Sequence, residues 1–287
     1  MNKKNDMMIS ATEVKYSIYK PAGNDTALVY GLEYTQEQKK EINDAIMAKH
    51  QNVEQVGFLG TNQKPELQMA GGEFCGNATR SAASAYLNGK QGNLQVFVNS
   101  KEFINAGVDK DGKAWCEIPL YHGEDVITEK GPGIFIVKMN GMVSVVIQDE
   151  VAKNFLCNKE KLKDTGMEFI HKYHLEDNEA VGVMFCEHID GVLKINPVVW
   201  VKSINTLFYE TACGSGTTAT CMVEAYLKQC SQKIDILQPS GLIITAQIDY
   251  NGNQFLKATI IGNVETDNKV YSMNFSFKED STDDTEH

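Results

Sequence analysis

Two short knots of cysteine and glycine, each running straight into a helix-forming stretch, divide this chain into matching halves. The first reads Cys75-Gly76-Asn77-Ala78-Thr79 and the second Cys213-Gly214-Ser215-Gly216-Thr217. Downstream, Ala85-Tyr86-Leu87 answers Ala225-Tyr226-Leu227, with a small difference in offset. Internal similarity constrains architecture, because each copy has to bury the same apolar face in the same way. Around the knots the pattern is that of short strands, among them 14–19, 26–30, 53–59, 94–99, 102–108, 134–137, 142–147, 180–186, 192–200, 242–248, 255–261 and 270–275. Helices are expected at 35–49, at about 77–87 after the first knot and at about 217–229 after the second, with Asn88-Gly89 as a left-handed cap. The segment 153–166 is largely polar and suits a helix.

In the first of the knot helices Ala78, Ser81, Ala82 and Ala85 recur at three- and four-residue steps, so small residues share one face. Such a face lets a helix sit close inside a sheet. An ordinary surface helix of good intrinsic propensity is the alternative. The expected fold is α+β, with two pseudo-symmetric lobes, each a curved, mainly antiparallel sheet wrapped around a central helix. The expected lobes are residues 1–129, carrying Cys75, and 130–287, carrying Cys213. A strand exchanged back to the first lobe and a frayed acidic tail at 279–287 complete the expectation.

The chain has 287 residues, which suits two domains of about 140 residues each. With Lys+Arg 27 against Asp+Glu 38, the net charge is −11. An acidic surface repels phosphates and anionic lipid, so neither nucleic acid nor membrane is expected as a partner. The basic start is not followed by an apolar run long enough for a signal peptide, and no stretch approaches a membrane span, so a cytoplasmic protein is expected. Seven cysteines at irregular spacing do not suggest a disulfide framework. The absence of a Cys-x-x-Cys pair argues against a zinc knuckle or a thioredoxin-type site. His171 and His174, with Glu168 and Glu176 nearby, match no standard metal spacing.

The chemistry lies in the knots. A helix N-terminus presents unpaired N–H groups that favour a thiolate and can hold a carboxylate. Glycine beside each cysteine lets the backbone approach a ligand closely. The amides of Gly76, Asn77, Gly214, Ser215 and Gly216 are therefore candidates to cradle the carboxylate of an amino acid. Its α-carbon would then lie between Cys75 and Cys213, one taking the α-proton and the other returning a proton to the opposite face. Inversion needs two such groups on opposite sides of a plane. Stabilising the carbanion without a cofactor demands preorganised donors in a closed cleft. Either cysteine taken alone reads as well as a small core residue. The other five, Cys116, Cys157, Cys186, Cys221 and Cys230, read as core or inert thiols.

These motifs resemble the diaminopimelate epimerase superfamily, through Phe74-Cys75-Gly76-Asn77-Ala78-Thr79-Arg80, Ala212-Cys213-Gly214-Ser215-Gly216-Thr217 and an early Gly23-Asn24-Asp25. The order agrees over nearly the whole chain. The resemblance implies a two-lobed fold with its site between the lobes, racemisation by Cys75 and Cys213 without a cofactor or metal, Asn24 as a substrate-site asparagine, and a homodimer. The approach to the second knot, Asn205 to Tyr209, lacks the arginine with which that superfamily grips the distal end of diaminopimelate. The chain is more similar to the histidine racemases of the superfamily, through Glu54-Gln55-Val56-Gly57-Phe58, Gly72-Glu73-Phe74-Cys75-Gly76-Asn77 and Val181-Gly182-Val183-Met184.

An imidazole calls for an acidic or accepting partner and an apolar or aromatic wall. Glu54, Glu73 and Glu210 are the candidate partners, and Phe58, Phe208 and Tyr209 the candidate walls. Arg80 reads as a surface or lobe-contact residue, with a substrate role as the alternative. The function expected is interconversion of L- and D-histidine by two thiols. The alternatives are a diaminopimelate epimerase, a racemase of another amino acid, a non-catalytic amino-acid binding protein on the same scaffold, and a thiol-redox protein.

Overall fold

The computed structural model describes residues 12–277. The basic start and the acidic tail expected to fray lie outside the described residues. The N-terminal half runs β1 (Thr12–Lys20), β2 (Asp25–Tyr30), α1 (Gln36–Lys49), β3 (Val53–Leu59), β4 (Glu66–Met69), α2 (Gly76–Tyr86), β5 (Gly92–Val98), β6 (Glu102–Val108) and β7 (Ala114–Glu117). The C-terminal half opens with β8 (Ile127–Gly131), β9 (Ile134–Met139), β10 (Met142–Ile147), α3 (Asp149–Leu156) and α4 (Leu162–Lys172). It continues with β11 (Ala180–Ile189), β12 (Val192–Val201), β13 (Thr206–Tyr209), α5 (Gly214–Lys228), β14 (Gln232–Leu237), β15 (Ile243–Tyr250), β16 (Phe255–Gly262), β17 (Glu265–Thr266) and β18 (Tyr271–Phe275).

The strand pairings repeat. In the first half β1 pairs antiparallel with β2, β2 parallel with β3, β3 antiparallel with β4, β4 parallel with β5, and β5–β6–β7 form a meander. In the second, β9 pairs antiparallel with β10, β10 parallel with β11, β11 antiparallel with β12, β12 parallel with β14, and β14–β15–β16 form the meander. Parallel pairs need a crossover. In the first half α1 spans β2 to β3 and α2 spans β4 to β5. In the second, α3 and α4 together span β10 to β11, and α5 spans β12 to β14. The two halves join where the last meander strands meet: β16 pairs with β7, setting Ile260 opposite Cys116 and Gly262 opposite Ala114. The chain then returns to the first half, where β17 and β18 pair with β1.

The knot helices are the central ones. In α2 every residue from Gly76 to Ser84 is buried, and α5 is buried from Gly216 through Val223. One apolar cluster contains Ala78 and Ala82 of α2 together with Ala219 and Met222 of α5. By contrast α1, which opens with a capping box between Thr35 and Gln38, buries one face only, through Ile42 and Ile46. The Asn88-Gly89 cap and the Asp190-Gly191 hairpin have the positive φ values their sequences require.

Both knot helices begin at the residue after the cysteine. For α5 this is three residues earlier than the glycines suggest, because Cys213 itself caps the helix. The strands β13 and β14 escape the sequence pattern: β14 alternates Lys233 and Asp235 with isoleucines, and among its residues only Ile236 is fully buried. Arg80, expected at the surface or a lobe contact, is fully buried.

The glycine that opens each central helix has a steric reason. A Cβ on Gly76 or on Gly214 would come 2.7 Å from the same atom, Cδ1 of Ile260. Replacing Gly214 by Ala is therefore expected to destabilise the protein by about 1–3 kcal/mol, although Ala is the better helix former. Ile260→Val removes the clashing methyl, so urea titration of the Gly214→Ala/Ile260→Val double variant should recover part of that loss. Additive losses would show that the contact is not the cause.

Candidate functional site

Cys75 and Cys213 occupy equivalent places. Each is the N-cap of its helix, with φ/ψ of −129°/113° for Cys75 and −133°/109° for Cys213. Each Sγ accepts from the amide three residues on, Ala78 N at 3.4 Å and Gly216 N at 3.3 Å. Each carbonyl accepts from the threonine hydroxyl one turn along, Thr79 at 2.8 Å and Thr217 at 2.6 Å. A sulfur thus fills the capping role usual for Ser or Asp, held against the positive end of a helix dipole. The Ser215 hydroxyl lies 3.4 Å from the Cys213 sulfur.

Both cysteines line one small cavity of about 50 Å³ between the lobes, with Asn24, Gln55, Glu73, Phe74, Gly76, Asn77, Met142, Ala180, Val199, Val201, Glu210, Gly214 and Ser215. The walls are cross-linked. Asn77 Nδ2 donates to Ala212 O at 3.2 Å. Asn24, at φ 55° in the turn after β1, donates its backbone N–H to Thr211 Oγ1 at 2.7 Å. Ser240 donates to Ala22 O at 2.6 Å, and Ser203 to Gly71 O at 2.8 Å.

The candidate residues separate clearly. Asn24, Gly76, Asn77, Glu73, Glu210, Gly214 and Ser215 reach the cavity. Gly216 lies just behind it and gives its amide to Cys213; a Cβ there would meet Met184 Sδ at 2.2 Å. Glu54 stands behind the lining, its carboxylate accepting from the backbone N–H and hydroxyl of Thr211. Phe58 is fully buried in the N-terminal core with Ile42 and Ile46 and does not line the cavity. The course of β3 explains this: Val53, Val56 and Phe58 pack into that core, while the register shifts around Glu54, between the Asp25–Val53 and Thr26–Gln55 pairs, and leaves Glu54 to Thr211 and Gln55 to the cavity. Gln55 Nε2 donates to Thr26 Oγ1 at 2.8 Å, and its side chain helps to lower the Cys75 thiol. Phe208 is not a wall either, and the Tyr209 hydroxyl is spent on Asn196 Oδ1 at 2.8 Å. The apolar wall comes instead from Phe74, Met142, Ala180, Val199 and Val201. Phe74, adjacent to Cys75, was the one signal in the sequence for it.

The electrostatics reverse one expectation. The helix ends do favour the thiolates, but burial wins, raising Cys75 to about 12 and Cys213 well above its ordinary value. Nearby carboxyls push the same way: Glu210 acts on both thiols and Glu73 on Cys75. Burial also raises Glu73, Glu54 and Glu210. Glu210 reaches about 8 despite bonds to Cys213 and Asn24, with Glu54 and Glu73 adding repulsion. Among the described residues no lysine or arginine lines the cavity. One Glu73 oxygen and the Asn24 side-chain oxygen are buried without a protein partner. The site is therefore rich in acceptors and poor in cations, and suits a ligand that brings N–H groups and positive charge.

Among solved structures, a hydroxyproline epimerase from Agrobacterium vitis with bound trans-4-hydroxy-L-proline has a similar fold. Its TM-score is 0.60 at 11% identity, covering 92% of this chain and 93% of the other. The fold and its relatives define a cofactor-independent racemase or epimerase of the diaminopimelate epimerase superfamily, in the class that works without pyridoxal phosphate. The family model "Histidine racemase CntK N-terminal domain" matches residues 13–270, across both lobes, and the chain belongs to that family. A histidine racemase of Fusobacterium nucleatum is 31% identical over 237 residues, 77% of this chain and 84% of that protein. One of Staphylococcus aureus is 26% identical over 247 residues, 80% and 87% of the two chains.

The raised carboxyl has a measurable consequence. Glu210 prefers its proton in the folded state, so its contribution to stability is fully present below about 4.5 and is lost as pH rises towards about 8. The melting temperature of the ligand-free protein should fall over that interval. In Glu210→Gln the fall should be shallower when followed by differential scanning fluorimetry. An unchanged slope would show that Glu210 is not held neutral by its surroundings.

Proposed function

We propose that this protein interconverts L- and D-histidine by a two-base mechanism on Cys75 and Cys213. The observation that carries the reading is the equivalence of the two cysteines as helix N-caps on one interlobe cavity. The substrate carboxylate binds the amides at the starts of α2 and α5, where Gly76, Asn77, Gly214 and Ser215 reach the cavity. Glu210, which acts on both thiols, receives the α-ammonium group. Glu73, with its buried unpartnered oxygen, accepts from the imidazole N–H. Phe74, Met142 and Val199 face the ring. Gln55 and Asn24 orient the groups around them, and Glu54 holds Thr211 and with it the approach to Cys213.

The α-proton passes to a thiolate on one face, and the thiol opposite returns a proton to the other. Charge on the α-carbon spreads into the carboxylate, where helix-end amides stabilise it best in the transition state. The thiols are neutral while the site holds only acidic groups. A zwitterionic substrate with an ammonium group lowers the cost of a thiolate beside it. The cavity lies between the two lobes, which part to admit an amino acid and close to exclude water. A wider groove on the same seam, lined by Gln36, Lys39, Asn99, Lys101 and Lys202, shares Glu73 with the cavity and marks the way in.

A diaminopimelate substrate is disfavoured by a cavity with two carboxyls and no cation to meet a distal carboxylate. We place the lobe boundary near residue 130, and we expect a small-molecule amino acid as partner and a homodimer.

Incubation with L-histidine in deuterated water should give α-deuterated D- and L-histidine, read by NMR and chiral chromatography, with little turnover of diaminopimelate. Cys75→Ser and Cys213→Ser should each lower the rate by about 10²–10⁴-fold. A wild-type rate in either variant rules out the two-thiol mechanism, and a preference for diaminopimelate reverses the choice of substrate.

A further inference from the structure

Arg80 is the largest fully buried side chain of the described residues, and the site chemistry above leaves it unused. It lies one turn into α2. Its Nη2 donates to Asn77 Oδ1 at 2.8 Å and to Pro21 O at 3.1 Å. Asn77 in turn donates across the seam to Ala212 O, and Pro21 leads into the turn that carries Asn24. One guanidinium therefore ties together the Asn24 turn, the start of the Cys75 helix and the approach to Cys213. On its far side it lies against Gly262 of β16, where an added Cβ would stand 2.9 Å from Nη1.

Among the described residues no carboxylate pairs with this arginine, and its Nε and Nη1 have no acceptor. A buried, unpaired guanidinium is costly, and a neutral side chain could hold Asn77 and Pro21 as well. The charge is what distinguishes the residue. The groups facing Cys75 are Glu73, Glu210 and Cys116, all negative or neutral, with Gln55 as a neutral donor. Arg80 is the cation among them: it holds Cys116 down, and Cys116 and Cys75 hold its own charge up against the burial that lowers it to about 10. The other buried cation among the described residues, Lys39, points away to Gln68 and Phe58.

We propose that Arg80 is a positioning residue of the racemase site, which sets the three site segments in register and supplies the positive charge against which a Cys75 thiolate forms. This rests on the two-thiol reading above. Its test therefore reads the thiol without turnover, by the rate of iodoacetamide alkylation of Cys75 at a fixed pH of about 8, followed by mass spectrometry of its peptide.

Arg80→Met removes the charge and should slow that alkylation about tenfold or more, since below the thiol's titration the rate follows its thiolate fraction. Arg80→Lys keeps the charge but loses the fork. It should hold the alkylation rate within about threefold, while kcat for histidine falls about tenfold or more with KM little changed. A folded Arg80→Met alkylated at the wild-type rate overturns the electrostatic role, and a wild-type kcat in Arg80→Lys overturns the registering role. If Arg80→Met does not fold, Arg80→Gln takes its place in the same measurement. If histidine is no substrate but alkylation still slows, the histidine reading fails and the charge assignment stands.

Discussion

The structure depends on the close approach of two helix N-termini across the seam between β7 and β16. Both helices start with glycine because one isoleucine, Ile260, occupies the space that either Cβ would need. That contact brings the amide ends of α2 and α5 to a common cavity and sets a cysteine at each end. The same seam joins the two sheets, through the register of Cys116 with Ile260. A duplicated fold yields equivalent sites only if its copies meet near their symmetry axis. Here the meeting point is a strand pair with one apolar side chain wedged beneath both helices.

The electrostatic character of the cavity follows from this closeness. Helix ends supply partial positive charge, but burial and two glutamates, Glu73 and Glu210, outweigh it, and the thiols stay protonated. A site built this way holds its reactive groups neutral until a cationic ligand enters. On the two-thiol reading proposed above, the charge of the substrate is then part of the catalytic apparatus. On the same reading, discrimination against a diacid has the same source, since carboxyls repel a second carboxylate where an arginine would attract it.

Much of the site was legible in the chain. The two knots and their small-residue helices pointed to the helix ends, both cysteines and the flanking glycines, because local backbone needs fix those residue types, while Asn24 entered through the resemblance to the diaminopimelate epimerase superfamily. The acidic partners were legible only as a set. Glu73 and Glu210 reach the cavity while Glu54 stops behind it, a difference made by the path of β3 and by Thr211 from the other lobe. Phe58 was misread because a strand's alternation does not announce which face meets which neighbour. The apolar wall of Met142, Ala180, Val199 and Val201 was invisible for the same reason, as it comes from three separate strands of the second lobe.

The sequence by itself determined the local chemistry: glycine where a helix begins against a neighbour, cysteine as its cap, a turn that accepts positive φ, and the periodicity of each element. These are short-range matters, decided within a few residues along the chain. Only the tertiary structure decided that two caps face one cavity, that an arginine lies buried beneath them without a counter-ion, and that burial overrides the helix dipole in setting the thiols' protonation. Those outcomes depend on distances between segments up to two hundred residues apart, and on how much water their packing excludes.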